Sequence, residues 1–142
     1  MRQKIDIYSD YLDQVWRQGD ITAIDRFWVQ EAVSVGLIAD FEMTRADISE
    51  LVPAVHAHLD AIHYDILYHS QVDDVLHVVV QVNGMGHENR TKVSFTGQST
   101  LVFTGDKFSR SYDHYDLISF FAQLGLLPPD TVALCLSGES LS

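Results

Sequence analysis

The chain has a single cysteine, Cys135, so no internal disulfide can form and a reducing compartment is the expected setting. This residue sits in the run VALCL and reads as a small buried or tail hydrophobe. Basic residues are also scarce. Nine Lys and Arg stand against 20 Asp and Glu, for a net charge of −11. Such a surface repels phosphate, which argues against nucleic acid or an anionic membrane as a partner. No apolar run approaches the roughly 20 residues that span a bilayer, and the opening MRQKIDIYSD has no signal-type apolar segment. A soluble cytoplasmic protein is expected. No repeat, low-complexity segment or linker interrupts the chain. What remains is 142 residues, 46% of them hydrophobic, enough for one domain with its own core. Residues 1–130 read as that domain and 131–142 as a C-terminal tail.

The first half carries helical periodicity. Ile5, Tyr8, Leu12, Val15 and Trp16 mark an amphipathic helix over about Gln3–Gln18, ended by Gly19. Asp20 caps a second helix with Ile21, Ile24, Phe27 and Trp28 as its apolar positions. A short strand follows, in which Val33, Val35 and Leu37 alternate with Ala32, Ser34 and Gly36. Thr44 and Asp47 form a capping box. It opens a third helix with Ile48, Leu51, Val52, Val55, Leu59 and Ile62 facing inward, kinked or split by Pro53. From His63 the period becomes two. Strands are expected near His63–Gln71, Val75–Met85, Lys92–Thr104 and Lys107–Asp116, with turns at Asp73-Asp74 and Gly105-Asp106. Gly97 suggests a bulge or bend in the third of these. A last helix spans about Leu117–Leu124 and stops at Gly125. Helices first and antiparallel strands later predict an α+β domain with a curved antiparallel or mixed sheet wrapped on the N-terminal helices.

The densest group of proton-active side chains lies in Phe108–Leu127, FSRSYDHYDLISFFAQLGLL. Strict alternation puts Phe108, Arg110, Tyr112, His114 and Asp116 on one face and Ser109, Ser111, Asp113 and Tyr115 on the other. The strand is either a solvated edge or dimer strand, or a pocket wall carrying an acid or base. Asp113 and Asp116 cannot both line one pocket unless the strand bulges.

Several motifs together carry a resemblance. They are Tyr11-Leu12 through Val15-Trp16-Arg17-Gln18-Gly19-Asp20, then Glu31-Ala32-Val33, then Asp74 through Asn83-Gly84. Asp106-Lys107-Phe108, Tyr112-Asp113, Asp116 and Leu124-Gly125-Leu126-Leu127-Pro128 complete the set. In order and spacing the chain resembles the SnoaL-like, polyketide-cyclase-related group of the nuclear transport factor 2-like cone fold. It departs in three places. The connection GMGHENRTK is shorter than that of many relatives and lacks their Gly/Pro-Pro-Thr-Gly motif, and the closing strand reads Arg110-Ser111-Tyr112 where the family often has acidic-His-aromatic. The first strand shows Val35-Gly36-Leu37 where the ketosteroid isomerase branch has its base Asp.

The resemblance implies a cofactor-independent cyclase or isomerase acting on an apolar carbonyl compound. Asp116 would be its general base, with His114 orienting it or relaying a proton and Asp113 as a further candidate. Tyr11, Trp28, His87 and Tyr112 are candidate substrate-binding residues. Against these stand plainer roles: Asp116 as cap of the last helix, His114 as an interface residue, Tyr8 and Trp28 as core. The alternative function is a non-catalytic ligand-binding or dimerisation module of the same fold. No metal site is expected. His63 and His69 lie about 20 Å apart along a strand, and His56 and His58 diverge on a helix. A homodimer is expected, with Ser94, Thr96, Gln98 and Thr100 facing either the partner or water.

Overall fold

The computed structural model describes residues 2–142. Helix α1 (Lys4–Tyr11) runs on without a break into a π-helical segment, Leu12–Arg17. A 3-10 turn, Ile21–Ala23, leads into the short α2 (Ile24–Phe27). The Asp20 carboxylate caps this turn by accepting from the Thr22 N–H at 3.0 Å. Strand β1 (Trp28–Val35) and α3 (Arg45–His56) follow. Four strands then run in sequence: β2 (Leu59–Val72), β3 (Val75–Gly86), β4 (Lys92–Thr104) and β5 (Lys107–Tyr115). The chain closes with α4 (Leu117–Gln123) and α5 (Thr131–Leu136). The last of these is a helix within the segment read from sequence as a tail, and its Cys135 is exposed.

The five strands form one mixed sheet in the order β1-β5-β4-β3-β2. β1 lies parallel to β5, and the other pairings are antiparallel. The sheet's inner face packs on α1, α2 and α3. Tyr8, Tyr11, Phe27 and Trp28 gather around the fully buried Phe108. A second cluster, centred on Leu59, Phe95 and Phe120, closes the other end against α4. Helices and curved sheet therefore make the expected α+β cone.

Three expectations change. The third helix ends at His56, and Leu59 and Ile62 belong to β2. Both residues fit a helical stripe by spacing, yet β3 claims them. Leu59 sits so close to Gly84 that a Cβ there would lie 2.7 Å from its Cγ. The capping box at Thr44 and Asp47 is present, and α3 runs unsplit through Pro53. Finally, β4 has no bulge at Gly97, which pairs regularly with Val80 and Tyr115. A side chain is excluded there because the Tyr115 ring lies across the glycine, 2.2 Å from where a Cβ would stand.

The irregularity lies instead in β5. Phe103 pairs with Phe108, but Val102 pairs with Arg110, so Ser109 is an extra residue without a partner across the ladder. The bulge reverses the parity of everything beyond it. Phe108 faces the core before the bulge, and Ser111, Asp113 and Tyr115 face inward after it. Arg110, Tyr112 and His114 consequently point out.

Candidate active site

Between the inner face of the sheet, α1, α3 and α4 lies a cavity of about 420 Å³. Aromatic and aliphatic side chains make most of its wall. The one carboxylate lining it is Asp113, on β5 beyond the bulge.

Asp113 is held by hydroxyls from three strands. Ser34 of β1 and Ser111 of β5 each donate to Oδ2 at 2.6 Å, and Ser99 of β4 donates to Oδ1 at 2.5 Å. All three serines are buried. Among the described residues no cation stands within ion-pair distance of Asp113. A carboxylate has about four acceptor positions. Oδ2 accepts twice and Oδ1 once, so one position on Oδ1 remains for a donor or an acidic proton from within the cavity.

Tyrosines surround this group. The Tyr8 and Tyr115 hydroxyls approach each other and Ser99. Burial pushes the Tyr115 hydroxyl up to about 12, and the nearby Asp113 charge adds to the shift. Burial likewise raises Tyr8, Tyr11 and Tyr64 well above the usual phenol range, with smaller contributions from neighbouring charges. The cavity wall thus carries neutral phenols able to donate hydrogen bonds at any physiological pH.

On the helical side, Trp16 Nε1 donates to the Tyr11 hydroxyl at 3.0 Å. These residues are five apart. The π-helical stretch that begins at Leu12 turns them to the same side, where regular α-helical winding would place i+4. His56 of α3 approaches the Trp16 carbonyl at 2.6 Å and ties this stretch to α3.

Of the residues singled out from sequence, Asp113, Tyr11 and Trp28 come together in the cavity. Trp28 does so as the first residue of β1, not as part of a helix. The others lie elsewhere. Asp116 is exposed outside the cavity, and its Oδ1 accepts from the Ser119 N–H at 3.0 Å as the cap of α4. His114 is exposed on the outer face of β5. Tyr112 is 45% exposed on the same face, where its hydroxyl accepts from Arg110 Nε. His87 stands past the end of β3, with Nδ1 3.1 Å from Asp60, which also pairs with Arg90. The placement of Asp116, His114 and Tyr112 toward the hollow is therefore corrected, and the Ser109 bulge is the reason. His87 misses it because β3 has already run out beyond the cavity.

The serine triad was not anticipated from sequence. One signal existed: Ser99 interrupts the apolar face Val93, Phe95, Leu101 and Phe103, an odd place for a hydroxyl without a buried partner.

No family model matches the sequence, and no curated protein matches it either. Solved structures do match. A candidate polyketide cyclase from Acidithiobacillus ferrooxidans superposes with a TM-score of 0.76 at 18% identity, covering 88% of this chain and 96% of its own. A ketosteroid isomerase-like fold protein from Catenulispora acidiphila, solved in complex with trimethylamine, gives 0.73 at 20% identity over 92% and 97%. A candidate SnoaL-like polyketide cyclase from Shewanella putrefaciens gives 0.72 at 13% identity over 89% and 98%. The architecture of this chain is accordingly the nuclear transport factor 2-like cone shared by SnoaL-like and ketosteroid isomerase-like structures.

Proposed function

We propose that this protein is a cofactor-independent enzyme of the cyclase or isomerase type, acting on an apolar carbonyl compound with Asp113 as general base. The observation that carries the reading is the Asp113 carboxylate, set in an apolar cavity with one acceptor position of Oδ1 open. The likeness to candidate polyketide cyclases supports it.

The step is a proton abstraction. Oδ1 takes a proton from the carbon beside the carbonyl, and the C–H electron pair moves into the C=O group to give an enolate. The enolate carbon then attacks a second carbonyl of the same molecule, closing a ring, or takes the proton back at another carbon. Three serine hydroxyls, and no cation, steady the carboxylate, so it keeps one orientation through the cycle. The cavity wall excludes water that would otherwise solvate both partners.

The test uses 1-tetralone, a bicyclic ketone with exchangeable protons beside its carbonyl. In D₂O the wild type should accelerate their replacement by deuterium, followed by NMR. Asp113→Asn should bind the ketone equally and lose the acceleration, whereas Asp116→Asn should keep it. Equal exchange by Asp113→Asn and wild type would refute the base. Binding without any exchange in the wild type would favour the second reading, a ligand-binding module in which Asp113 only accepts a hydrogen bond.

A further inference from the structure

Asp113 is a negative charge without a positive neighbour. No Lys or Arg lines its cavity, and among the described residues none reaches it as an ion pair. Its partners are three neutral hydroxyls at 2.5–2.6 Å, lengths typical of an O–H donating to an anion. These hydroxyls fill acceptor positions but cancel no charge. A carboxylate taken out of bulk water stays costly until an opposite charge joins it. The one lining side chain able to become a cation is His58, which is exposed past the end of α3.

The space in front of Asp113 has the character of an organic cation's binding site. Tyr11, Trp28, Tyr64, Phe95, Tyr115 and Phe120 all line it. Aromatic π-systems attract alkylammonium groups, and more strongly once water is excluded. The chain as a whole carries a net charge of −11, which raises the local concentration of cations. The carboxylate itself narrows the choice. It offers one negative charge and, on Oδ1, one open acceptor position. A protonated tertiary amine offers one positive charge and one N–H, with carbon on its other sides. A primary ammonium brings three N–H groups to a position that receives one, and a quaternary ammonium brings none.

We infer that the cavity also binds an apolar tertiary amine in its protonated form, its N–H donating to Asp113 Oδ1 and its alkyl groups lying among the aromatic side chains. This goes beyond the carbonyl reading and stands without it. An amine so held occupies the open position of Oδ1. It would therefore exclude a ketone from the base and act as a competitive inhibitor of proton abstraction. It also supplies the counter-charge that the protein's own residues withhold.

The experiment compares two ligands of one shape. 2-(Dimethylamino)tetralin is an aliphatic amine, protonated at neutral pH like a lysine side chain. 2-Isopropyltetralin replaces its N–H by C–H and has no charge. Calorimetry should show the amine binding about tenfold or more tightly than the hydrocarbon, as a charge-assisted hydrogen bond warrants. Asp113→Asn should remove that margin and leave the hydrocarbon's affinity unchanged, which also shows that the variant is folded. Asp116→Asn should keep the margin, although it too removes a negative charge. The trimethylammonium derivative, charged but without an N–H, should bind more weakly than the dimethylamine. Equal binding of amine and hydrocarbon, or a margin that survives Asp113→Asn, would overturn the inference. A trimethylammonium derivative binding as tightly as the dimethylamine would overturn the hydrogen bond to Oδ1. None of these measurements involves turnover. An Asp113-dependent margin with Asp113-independent ketone exchange would fault the base alone, and the converse would fault the amine site alone.

Discussion

Replacing Gly97 with alanine should destabilise the protein, contrary to the usual effect of removing a glycine from a strand. Gly97 has ordinary strand pairing on both sides, so alanine there should stiffen the unfolded chain and stabilise by about 0.4–1 kcal/mol if space allowed. Space does not allow it. The new methyl would stand 2.2, 2.4 and 2.5 Å from Cδ2, Cε2 and Cγ of Tyr115. Carbon contacts are comfortable at about 3.5–4.0 Å, so the ring must retreat by roughly 1–1.5 Å. Tyr115 also packs edge-on against Phe95, with centroids 6.5 Å apart, and it lines the cavity. Overpacking of this kind costs about 1–3 kcal/mol. The net loss is then about 1–2 kcal/mol, or a fall in Tm of roughly 3–7 °C for a domain of this size. Thermal unfolding followed by circular dichroism reads it directly. The Tyr115→Ala background isolates the cause, because with the ring gone Gly97→Ala should be neutral or stabilising. Gly97→Ala matching or exceeding wild-type stability, with Tyr115 in place, would refute the reasoning.

Asp116→Ala should cost about 1 kcal/mol through the lost cap on Ser119, seen as a Tm drop of roughly 4 °C, with ketone affinity unchanged in calorimetry. Alkaline stability should fall as tyrosines ionise. The folded pKa of Tyr8, Tyr11, Tyr64 and Tyr115 lies above the unfolded value near 10, so the unfolded state loses their protons first. Their contribution is fully present below pH about 10 and is lost as pH climbs toward the folded value, about 12 for Tyr115. Absorbance at 295 nm from these four should rise together with the loss of circular dichroism; a rise well before unfolding would contradict their burial. The outer sheet face leaves Leu67, Tyr68, Val72 and Tyr112 exposed, and we expect a homodimer through it. Sedimentation at micromolar concentration should give twice the 16.0 kDa chain mass, and a single 16.0 kDa species would remove the dimer.

Much of the architecture is legible in the chain because local rules dominate there. The stripe Tyr8, Leu12 and Val15 can only be a helix face. The alternation Val93, Phe95, Leu101 and Phe103 can only be a strand with one wet side. The capping box at Thr44 and the turns at Asp73 and Gly105 depend on side chains or left-handed φ values within a few residues, and they appear where the sequence places them. Locality also explains the failure at Leu59, whose helical spacing was overridden by a partner strand distant in sequence.

The site was legible as a region but not as a geometry. Alternation counted from Phe108 selects Asp116 and rejects Asp113, and one unpaired residue, Ser109, reverses that choice. A bulge of this kind depends on how β4 and β5 fit together, not on the residue that bulges. The hydroxyls around Asp113 come from positions 34, 99 and 111. The tyrosines that line the cavity come from α1, β2 and β5. Sequence alone therefore determined which elements exist and which of their faces are apolar, because these follow from periodicity and turn chemistry. Tertiary structure alone decided which carboxylate enters the cavity and which donors stand near it, because strand register and packing between distant segments set both.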